Sequence, residues 1–416
     1  MSATDFSYKI SGADKFQLLL DRHIRLRGYI GNVISLGIEV KGRINADELR
    51  KVVNENTFLT QINSLKIEEG FLRIPRWKAQ ANQKPVKIIE HPSEQDAVDI
   101  KPDIKVNSGN LLHLDLLQNK SNSTLIISAH HVLADNMGIQ AIAKIIAGNI
   151  QPAFTPFTKE ENEAVSIVRQ LVYTLKATRL VFNKTPKKLA KLLLGETETG
   201  SHIIRFTQEE TKQIEQNAVK NGARISKSAF YLAATSMALQ QTVFAKTSDS
   251  FFIPVPQNQR LRGNEQTVLG NHLSFLFYTI PFNKLTNLTE ATEFINEQMM
   301  QQVRDKSPKS YSYLLKTFRF LPLSVYDFFF KLPTKGAVCS FLFSDVGETL
   351  SGMKTFMGKE ITEVLNYPPN PCPPHITFVV MKHTGALKII TAYNPGVISS
   401  YEITRFEEKI TELLLP

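Results

Sequence analysis

The chain has 416 residues, of which 42% are hydrophobic, so it is long enough to bury sizeable cores and its composition excludes a disordered protein. Its 49 lysines and arginines outnumber 39 aspartates and glutamates, and the formal net charge of +10 favours anionic partners such as coenzyme A phosphates, anionic lipid or an acidic carrier protein. No nucleic-acid-binding motif with interleaved aromatics accompanies this charge, so we expect no nucleic-acid partner.

Cysteine content and hydropathy restrict the class of protein further. The two cysteines, Cys339 and Cys372, are too few for a disulfide framework, which fits a reducing compartment. Met1 to Phe6 lack a basic start and an apolar core, so we expect no secretory signal. No uninterrupted apolar run reaches the about 20 residues that a membrane-spanning helix needs. We therefore expect a cytoplasmic protein that is soluble or peripheral on a membrane.

The first part of the chain predicts a sheet with helices packed on it. Residues 11–20 have the pattern of a helix and residues 32–40 that of a strand. Asn45 is predicted to cap a helix over residues 46–54, with Glu48 completing a capping-box-like pair. Short strands are predicted at Phe71–Ile74, Val86–Ile89 and Leu111–Leu117.

The most informative stretch is a predicted strand-to-helix turn near residue 130. The run Ser123–Ile127 predicts a buried strand and Ile139–Ile146 a helix, so the turn between them carries His130, His131 and Asp135. Such turns hold reactive groups at the edge of a sheet while leaving them open to substrate. Because an unperturbed imidazole has a pKa of about 6.5, His131 is a candidate general base.

Two other interpretations of this turn remain open. The histidines can be a packed pair whose ring nitrogens are satisfied by neighbours. His131 and Asp135 can also be metal ligands, but no third nitrogen or sulfur ligand lies at zinc-like spacing and there is no His-Glu-x-x-His pattern. We therefore predict no metal site.

A basic segment follows the first lobe. Pro152 and Pro156 mark residues 151–158 as a connector. Residues 165–195 then contain no acidic side chain, and their basic residues are Arg169, Lys176, Arg179, Lys184, Lys187, Lys188 and Lys191. Apolar residues recur there at helical spacing on another face, which suits a helix lying in a membrane interface. It equally suits a helix that crosses between domains with a solvated basic face.

The remaining chain predicts a second lobe. We place the first lobe at residues 1–160, the basic amphipathic crossover at 161–200 and the second lobe at 201–416. Helices are predicted at residues 209–221, 227–244 after a Ser226 cap, and 404–415. Strands are predicted at residues 202–206, 251–256, 273–280, 340–347, 361–365, 376–381 and 387–393.

Residues 311–335 carry eight aromatics interspersed with four basic residues, Lys316, Arg319, Lys331 and Lys335. Aromatics favour membrane interfaces and lysines snorkel, so this segment suits contact with a membrane or with an acyl chain. The alternative is a pair of core helices under a loop.

Three blocks of residues resemble one known family. His130-His131-x-x-x-Asp135 looks like the HHxxxDG signature of the chloramphenicol acetyltransferase-like superfamily, which includes condensation domains, wax ester synthases and polyketide-associated acyltransferases, although Asn136 stands where the glycine usually does. The Val255-Pro256 strand end, followed by Arg260 and then Gly270-Asn271, is similar to a block in wax ester synthases and condensation domains. Ser344-Asp345-Val346-Gly347 resembles their S-N-x-G element, whereas the plant signature DFGWG is absent.

The resemblance implies a fold and a set of roles. The fold is an α/β (α+β) one with two chloramphenicol acetyltransferase-like lobes, each a mixed sheet with packed helices, and a tunnel between them that holds the active site. His131 is implied to be the base beside His130, and Asp135 to form a structural ion pair with Arg260. Spacing alone does not distinguish Arg260 from Arg262. The candidate oxyanion donors by position are Ser344, Asn271 and the backbone amides of Val346 and Gly347.

Three functions are compatible with the sequence. The first is acyl transfer, of a fatty or other hydrophobic acyl group, from a coenzyme A thioester to an alcohol or amine. The second is a freestanding condensation-type enzyme that takes its acyl group from a carrier protein, which a basic surface would also attract. The third is a non-catalytic relative that binds lipid or a protein partner. For the first two functions we predict no cofactor beyond the thioester co-substrate.

Overall fold

The computed structural model describes residues 7–70, 73–92, 95–150, 167–182, 199–244, 250–260, 267–334, 339–369 and 374–415. The helices within these ranges are α1 Gly12–Arg25, α2 Ala46–Glu55, α3 Thr57–Asn63, α4 Asn136–Ile146, α5 Ile167–Phe182, α6 Gln208–Lys220, α7 Lys227–Thr242, α8 Leu288–Arg304, α9 Ser307–Phe318, α10 Leu323–Thr334 and α11 Ser400–Leu414. The strands are β1 Ser7–Lys9, β2 Val33–Lys41, β3 Lys66–Glu68, β4 Arg76–Lys78, β5 Lys87–His91, β6 Leu112–Gln118, β7 Asn122–His130, β8 Gly200–Arg205, β9 Ser250–Asn258, β10 Leu273–Pro281, β11 Leu342–Glu348, β12 Thr355–Phe356, β13 Lys359–Tyr367, β14 Ile376–His383 and β15 Ala386–Tyr393.

A six-stranded sheet in the order β12-β13-β2-β7-β6-β5 forms the N-terminal core. All neighbours pair antiparallel except β5 and β6. Strand β7 lies inside this sheet because its run Leu125-Ile126-Ile127 is apolar on both faces and fully buried. Ser35 of β2 and Ser128 of β7 are paired in register, and their hydroxyls hydrogen-bond at 2.8 Å. The sheet therefore fixes the position and direction of the end of β7, where His130 lies.

A second core surrounds the four-stranded sheet β11-β14-β15-β8 and the hairpin of β9 and β10. Helices α6, α7, α8 and α11 pack against these strands, and their buried faces contribute Ile214, Phe230, Ile295 and Phe406. Strand β11 pairs parallel with β14, and its register shifts between Asp345 and Gly347. This bulge lies in the segment that the sequence identifies as a site candidate.

The two cores are not divided at the predicted domain boundary. The sequence places residues 355–367 in the C-terminal lobe, but β12 and β13 extend the N-terminal sheet beyond β2. Strand β13 pairs with β2 over nearly its whole length, from Ile361 opposite Val40 to Tyr367 opposite Ser35. The reason is that β2 would otherwise present an unpaired edge, and the alternating pattern of β13 fits it.

Most predicted elements are present, with ends shifted by a few residues. The largest extension is that of α1, which continues from the predicted end at Leu20 to Arg25. The strand predicted at Phe71–Ile74 is wrong, because β3 and β4 flank it and residues 73–74 are not in a strand, while residues 71–72 lie outside the described ranges. Helices α3 and α8 were not predicted. Helix α3 follows α2 after Asn56 alone, and α8 has only a short buried stripe.

The predicted membrane-contact segments correspond to helices. Residues 167–182 of the basic segment form α5, and residues 183–195 lie outside the described ranges. Residues 311–334 form most of α9 and all of α10. Among the described helices, none combines the length and the apolar character needed to cross a bilayer.

Candidate active site

The turn after β7 places the second histidine at a cavity. Strand β7 ends at His130, and α4 begins at Asn136 with Asp135 as its N-cap, whose side chain accepts a hydrogen bond from the Gly138 amide at 3.0 Å. Asn136 has none of the positive φ values found elsewhere in the described chain, so this turn does not require a glycine there. The departure from the family signature is therefore compatible with the observed backbone.

A glycine is required at position 138, two residues after Asn136. A Cβ on Gly138 would lie 2.4 Å from the carbonyl oxygen of Val268 and 2.9 Å from the Cβ of Ala134. This close approach lets the segment before β10 run beside the turn, where Ala134 and Gly270 form a parallel bridge and the Gly270 amide donates to the Leu133 carbonyl at 2.7 Å. The turn is thus held from the C-terminal half of the chain.

Asp135 is enclosed by donors. Arg260 donates through Nη1 to Oδ2 at 2.6 Å and through Nη2 to Oδ1 at 2.7 Å, and the His272 amide donates to Oδ2 at 3.0 Å. Burial alone would raise the pKa of Asp135, but the Arg260 guanidinium outweighs it and holds that pKa below its usual value. The pair is almost completely buried, with 3% of the Arg260 and 8% of the Asp135 side chain exposed. The neighbouring Arg262 lies outside the described residues.

His130, predicted as a catalytic candidate, lies away from the cavity. It is fully buried and does not line the cavity. Its Nδ1 accepts a hydrogen bond from the Val132 amide at 3.2 Å, and its Nε2 lies 3.2 Å from Oδ1 of Asp21. Asp21 also accepts from the Asn32 amide at 2.8 Å and from Arg25. Both ring nitrogens therefore face protein groups rather than substrate.

His131 does line the cavity. Its amide donates to the Asn32 carbonyl at 2.9 Å, and its carbonyl accepts from Nδ2 of Asn271 at 2.8 Å, so the backbone is held on both sides. Burial lowers the pKa of His131 below its ordinary value, while its own carbonyl oxygen and the Asp135 carboxylate oppose part of that shift. The imidazole is therefore neutral at neutral pH, as a general base must be.

Asn271 supports the turn instead of facing substrate. One proton of its amide bonds the His131 carbonyl and the other bonds Oδ1 of Asp14 at 2.9 Å, so no proton remains for an oxyanion. Its backbone amide also donates to Asp14, at 2.7 Å. Asp14 is fully buried in α1, and that burial raises the pKa of its carboxyl. The proposed role of Asn271 as an oxyanion donor is thus inconsistent with its hydrogen bonds.

The predicted donors on β11 are separated by the bulge. Ser344, Asp345 and Val346 line the cavity, whereas Gly347, with φ of 65°, does not. The Gly347 amide donates to Oδ1 of Asp345 at 3.2 Å, so it is already engaged. Burial raises the pKa of Asp345. Ser344 therefore remains the side-chain candidate for stabilising an oxyanion, and Gly347 does not.

The cavity has a volume of about 340 Å³ and lies between the two cores. Its polar wall includes His131, Asn136 and Ser344 and the paired side chains of Asp135 and Arg260. The rest of the wall is mainly apolar. Much of it comes from α1, β9, β10, α9, α10 and β11, including Phe16, Leu20, Phe275, Leu314, Phe318 and Phe330, and β2, β13 and β14 border it as well. Ring centroids of Phe16 lie 5.7 Å from Phe275 and 5.9 Å from Phe330, which ties three of these elements together. Such a lining suits a hydrocarbon chain.

Two supporting carboxylates, Asp14 and Asp21, are absent from the site residues that the sequence predicts. Asp14 and Asp21 are seven residues, or about two turns, apart on α1, so they project from the same side of the helix, Asp14 toward Asn271 and Asp21 toward His130. A charged residue repeated on the apolar stripe of a helix is a signal for a buried polar network, and it was available in the sequence. Which groups these carboxylates bond depends on long-range packing.

Within the described ranges, no three histidine, cysteine, aspartate or glutamate side chains are grouped so that they could hold a metal ion. Cys339 is buried, which raises the pKa of its thiol, and Cys372 lies outside those ranges.

Comparisons with known proteins reveal the fold. No protein-family model matches the sequence, and no curated protein matches it. Among solved structures, the TRI3 trichothecene 15-O-acetyltransferase from Fusarium sporotrichioides superposes with a TM-score of 0.73 at 12% identity, over 98% of this chain and 95% of that one. The first condensation domain of the CDA synthetase gives 0.71 at 14% identity, over 99% and 97%. Polyketide synthase associated protein 5 from Mycobacterium tuberculosis gives 0.66 at 14% identity, over 98% and 97%.

These likenesses extend over nearly the whole of each chain. They confirm the prediction of a two-lobed chloramphenicol acetyltransferase-like fold. At such low identity they establish the fold alone.

Proposed function

We propose that this protein is an acyltransferase that moves a hydrophobic acyl group from a thioester of coenzyme A or of a carrier protein to an alcohol or amine. The observation that carries the proposal is the position of His131, whose backbone is hydrogen-bonded on both sides and whose side chain lies on the wall of a mainly apolar cavity, where burial lowers its pKa. The fold supports the same conclusion, since similar structures include an acetyltransferase and condensation domains.

In the proposed reaction His131 is the general base. It removes the proton from the hydroxyl or amine of the acceptor as that atom attacks the thioester carbonyl carbon. The tetrahedral oxyanion then collapses, the carbon–sulfur bond breaks, and the proton passes from His131 to the departing thiolate. The products are an ester or amide and a free thiol. No covalent enzyme intermediate and no cofactor are needed.

The oxyanion needs a donor near the reacting carbon. We assign this role to the Ser344 hydroxyl, with the Val346 amide as a further candidate, because both residues line the cavity beside the β11 bulge. Asn271 and the Gly347 amide are left out because their protons are engaged elsewhere. Asp135, Arg260 and His130 are positioning residues in this proposal. Asp135 and Arg260 border the cavity, but their charged groups are engaged with each other, and His130 does not line the cavity.

A second candidate is a freestanding condensation-type enzyme that receives its acyl group only from a carrier protein. Two observations favour it, the likeness to condensation domains of peptide synthetases and the net charge of +10, which would attract an acidic carrier. The non-catalytic alternative is weakened by the intact arrangement of His131, Asp135 and Arg260.

The test is single-turnover thiol release from a panel of acyl-coenzyme A donors with mixed alcohols and amines. We expect acceptor-dependent release by the wild type and a loss of about two to four powers of ten in His131→Ala. The matched control is His202→Ala, a partly exposed histidine on β8 that does not line the cavity, which should keep full activity. Full activity in His131→Ala would contradict the mechanism.

If no coenzyme A donor supports thiol release, the same assay is repeated with acyl groups loaded on a carrier protein. Turnover with the carrier alone would establish the second candidate. No thiol release with either kind of donor, from a folded protein, would favour the non-catalytic alternative.

A further inference from the structure

A group of large apolar side chains is exposed on the helices next to the cavity. On α5 they are Leu171, Val172 and Leu175, the last with 68% of its surface exposed. On and just before α10 they are Phe320, Val325, Phe328 and Phe329, and Phe328 is 61% exposed. Clusters of this kind are uncommon on soluble proteins and mark sites of contact. We call these seven residues the apolar surface.

Packing of α5 on α9 brings the two parts of the apolar surface to one region. The Thr174 and Thr317 hydroxyls lie 3.3 Å apart, and the Tyr173 and Tyr313 rings stack with centroids 5.4 Å apart. Toward the other end of the pair, Lys176 donates to the Asp305 carbonyl at 3.0 Å, so the helices run antiparallel. Residues one turn before Thr174 therefore lie near the end of α9, where Phe320 is exposed.

Helix α10 continues from that point. The Phe318 and Tyr326 rings, with centroids 5.1 Å apart, hold the start of α10 to the end of α9. Phe328 and Phe329, whose rings lie 5.7 Å apart, then project outward from the next turn. The apolar surface thus runs from α5 across the α9–α10 junction.

The described helices at this surface are mainly basic. Helix α5 contains Arg169, Lys176 and Arg179 and α9 contains Lys309 and Lys316, with no acidic residue in either helix, and the single acidic residue of α10, Asp327, is paired with Lys331. Basic residues next to exposed aromatic and aliphatic ones are the combination that anionic lipid interfaces attract, through charge at a distance and apolar insertion at contact. An acidic carrier protein would be attracted by the charge, but it would leave the exposure of three phenylalanines unexplained.

We propose that the apolar surface docks this protein on an anionic lipid bilayer. Helix α10 also lines the cavity, with Tyr326 and Phe330, and α9, on which α5 packs, lines it with Leu314 and Phe318. Docking would therefore place the cavity's helical wall against the membrane, where long-chain acyl substrates partition. This last step rests on the proposed acyl-transfer function, whereas docking itself does not.

The test is flotation of the purified full-length protein with phosphatidylcholine vesicles and with mixed phosphatidylcholine–phosphatidylglycerol vesicles. We expect the wild type to float with the mixed vesicles, less with the neutral ones, and less again at high salt. The double variant Phe328→Ser, Phe329→Ser should bind the mixed vesicles at least about tenfold more weakly, because it loses two inserted aromatic side chains.

A matched control is Val219→Ser with Ile225→Ser, which removes two equally exposed apolar side chains from α6 and the segment after it. This variant should float like the wild type. Failure of the wild type to float, or equal flotation of the phenylalanine variant, would overturn the proposal. A dimer of the wild type that dissociates in the phenylalanine variant would assign the surface to a second copy and overturn it as well. Flotation needs no substrate, so its failure leaves the thiol-release test of acyl transfer unaffected.

Discussion

Arg260 holds both carboxylate oxygens of Asp135, at 2.6 Å and 2.7 Å, across a distance of 125 residues in the chain. The same carboxylate caps α4 and accepts the His272 amide, so every lone pair that faces protein has a donor. The ion pair therefore joins the turn that carries His131 to the segment that precedes β10. Its contribution should be measurable in both stability and turnover.

Removing Arg260 leaves Asp135 buried without its counterion. We expect Arg260→Ala to lower the free energy of unfolding by about 3 to 5 kcal/mol, the range for breaking a buried pair. Urea denaturation measures it. The control is Arg205→Ala, whose half-exposed pair with Glu363 should be worth less than about 1 kcal/mol, since Lys388 also pairs with that glutamate. Equal losses in the two variants would contradict the structural role of Arg260.

The pH dependence of kcat/KM should report His131. A general base acts in its neutral form, so the rate should rise with pH and then level off. Because burial lowers the pKa of His131, we expect the midpoint of this rise below the ordinary value of about 6.5. The residual activity of His131→Ala should lack the step. A wild-type midpoint above the ordinary value would argue against His131 as the base.

Filling the cavity should shorten the acyl chain that it accepts. Leu314 lines the cavity from α9, and Leu314→Trp would occupy space there. We expect the ratio of kcat/KM for long to short acyl donors to fall at least about tenfold, because a single methylene in an apolar pocket is worth about 10- to 200-fold. Ile225→Trp, on an exposed isoleucine, should leave the ratio unchanged. An unchanged ratio in a folded Leu314→Trp would place the acyl chain elsewhere.

His375 should make stability fall in acid. Burial lowers its pKa to about 4, and Arg27 adds to the shift. The unfolded chain has the ordinary value of about 6.5, so the contribution is complete above that pH and is lost as the pH falls toward about 4.

Asparagine does not titrate and tolerates the φ of 72° at this position. Between about pH 7.5 and about pH 5, the free energy of unfolding of His375→Asn should therefore fall by about 2 kcal/mol less than that of the wild type. His23, whose pKa burial also lowers to about 4, should keep part of the acid dependence in both proteins. Urea denaturation at the two pH values measures this difference. If both proteins lost the same free energy of unfolding between them, His375 would titrate with an ordinary pKa.

The sequence pattern near residue 130 was sufficient to predict the strand, turn and helix that carry the two histidines and Asp135. A β-branched run followed by two histidines, an aspartate and a helical pattern indicated the strand, the turn and α4, and the structure has all three. The placement of Arg260 opposite Asp135 came from the family resemblance and not from spacing, because the two are brought together only by tertiary packing.

The remainder depends on contacts that no local pattern encodes. The hydrogen bonds of Asn271 do not support its predicted donor role, because Asp14, on the first helix, and the His131 carbonyl take its two amide protons. The surroundings of His130 do not support a direct catalytic role, because Asp21 lies beside its ring. Both acidic residues belong to α1, whose course beyond residue 20 the periodicity did not predict. Long-range hydrogen bonds thus decide which polar residue faces substrate.

The pairing of β13 with β2 constrains how the chain can be made. Until residues 359–367 have been synthesised, the N-terminal sheet lacks the strand that covers β2 and exposes an edge of unpaired amide and carbonyl groups. The first half of the protein therefore cannot complete its core by itself on the ribosome. A gene cut between the two lobes would yield fragments that must find each other to fold, and the N-terminal fragment would be prone to edge-to-edge aggregation.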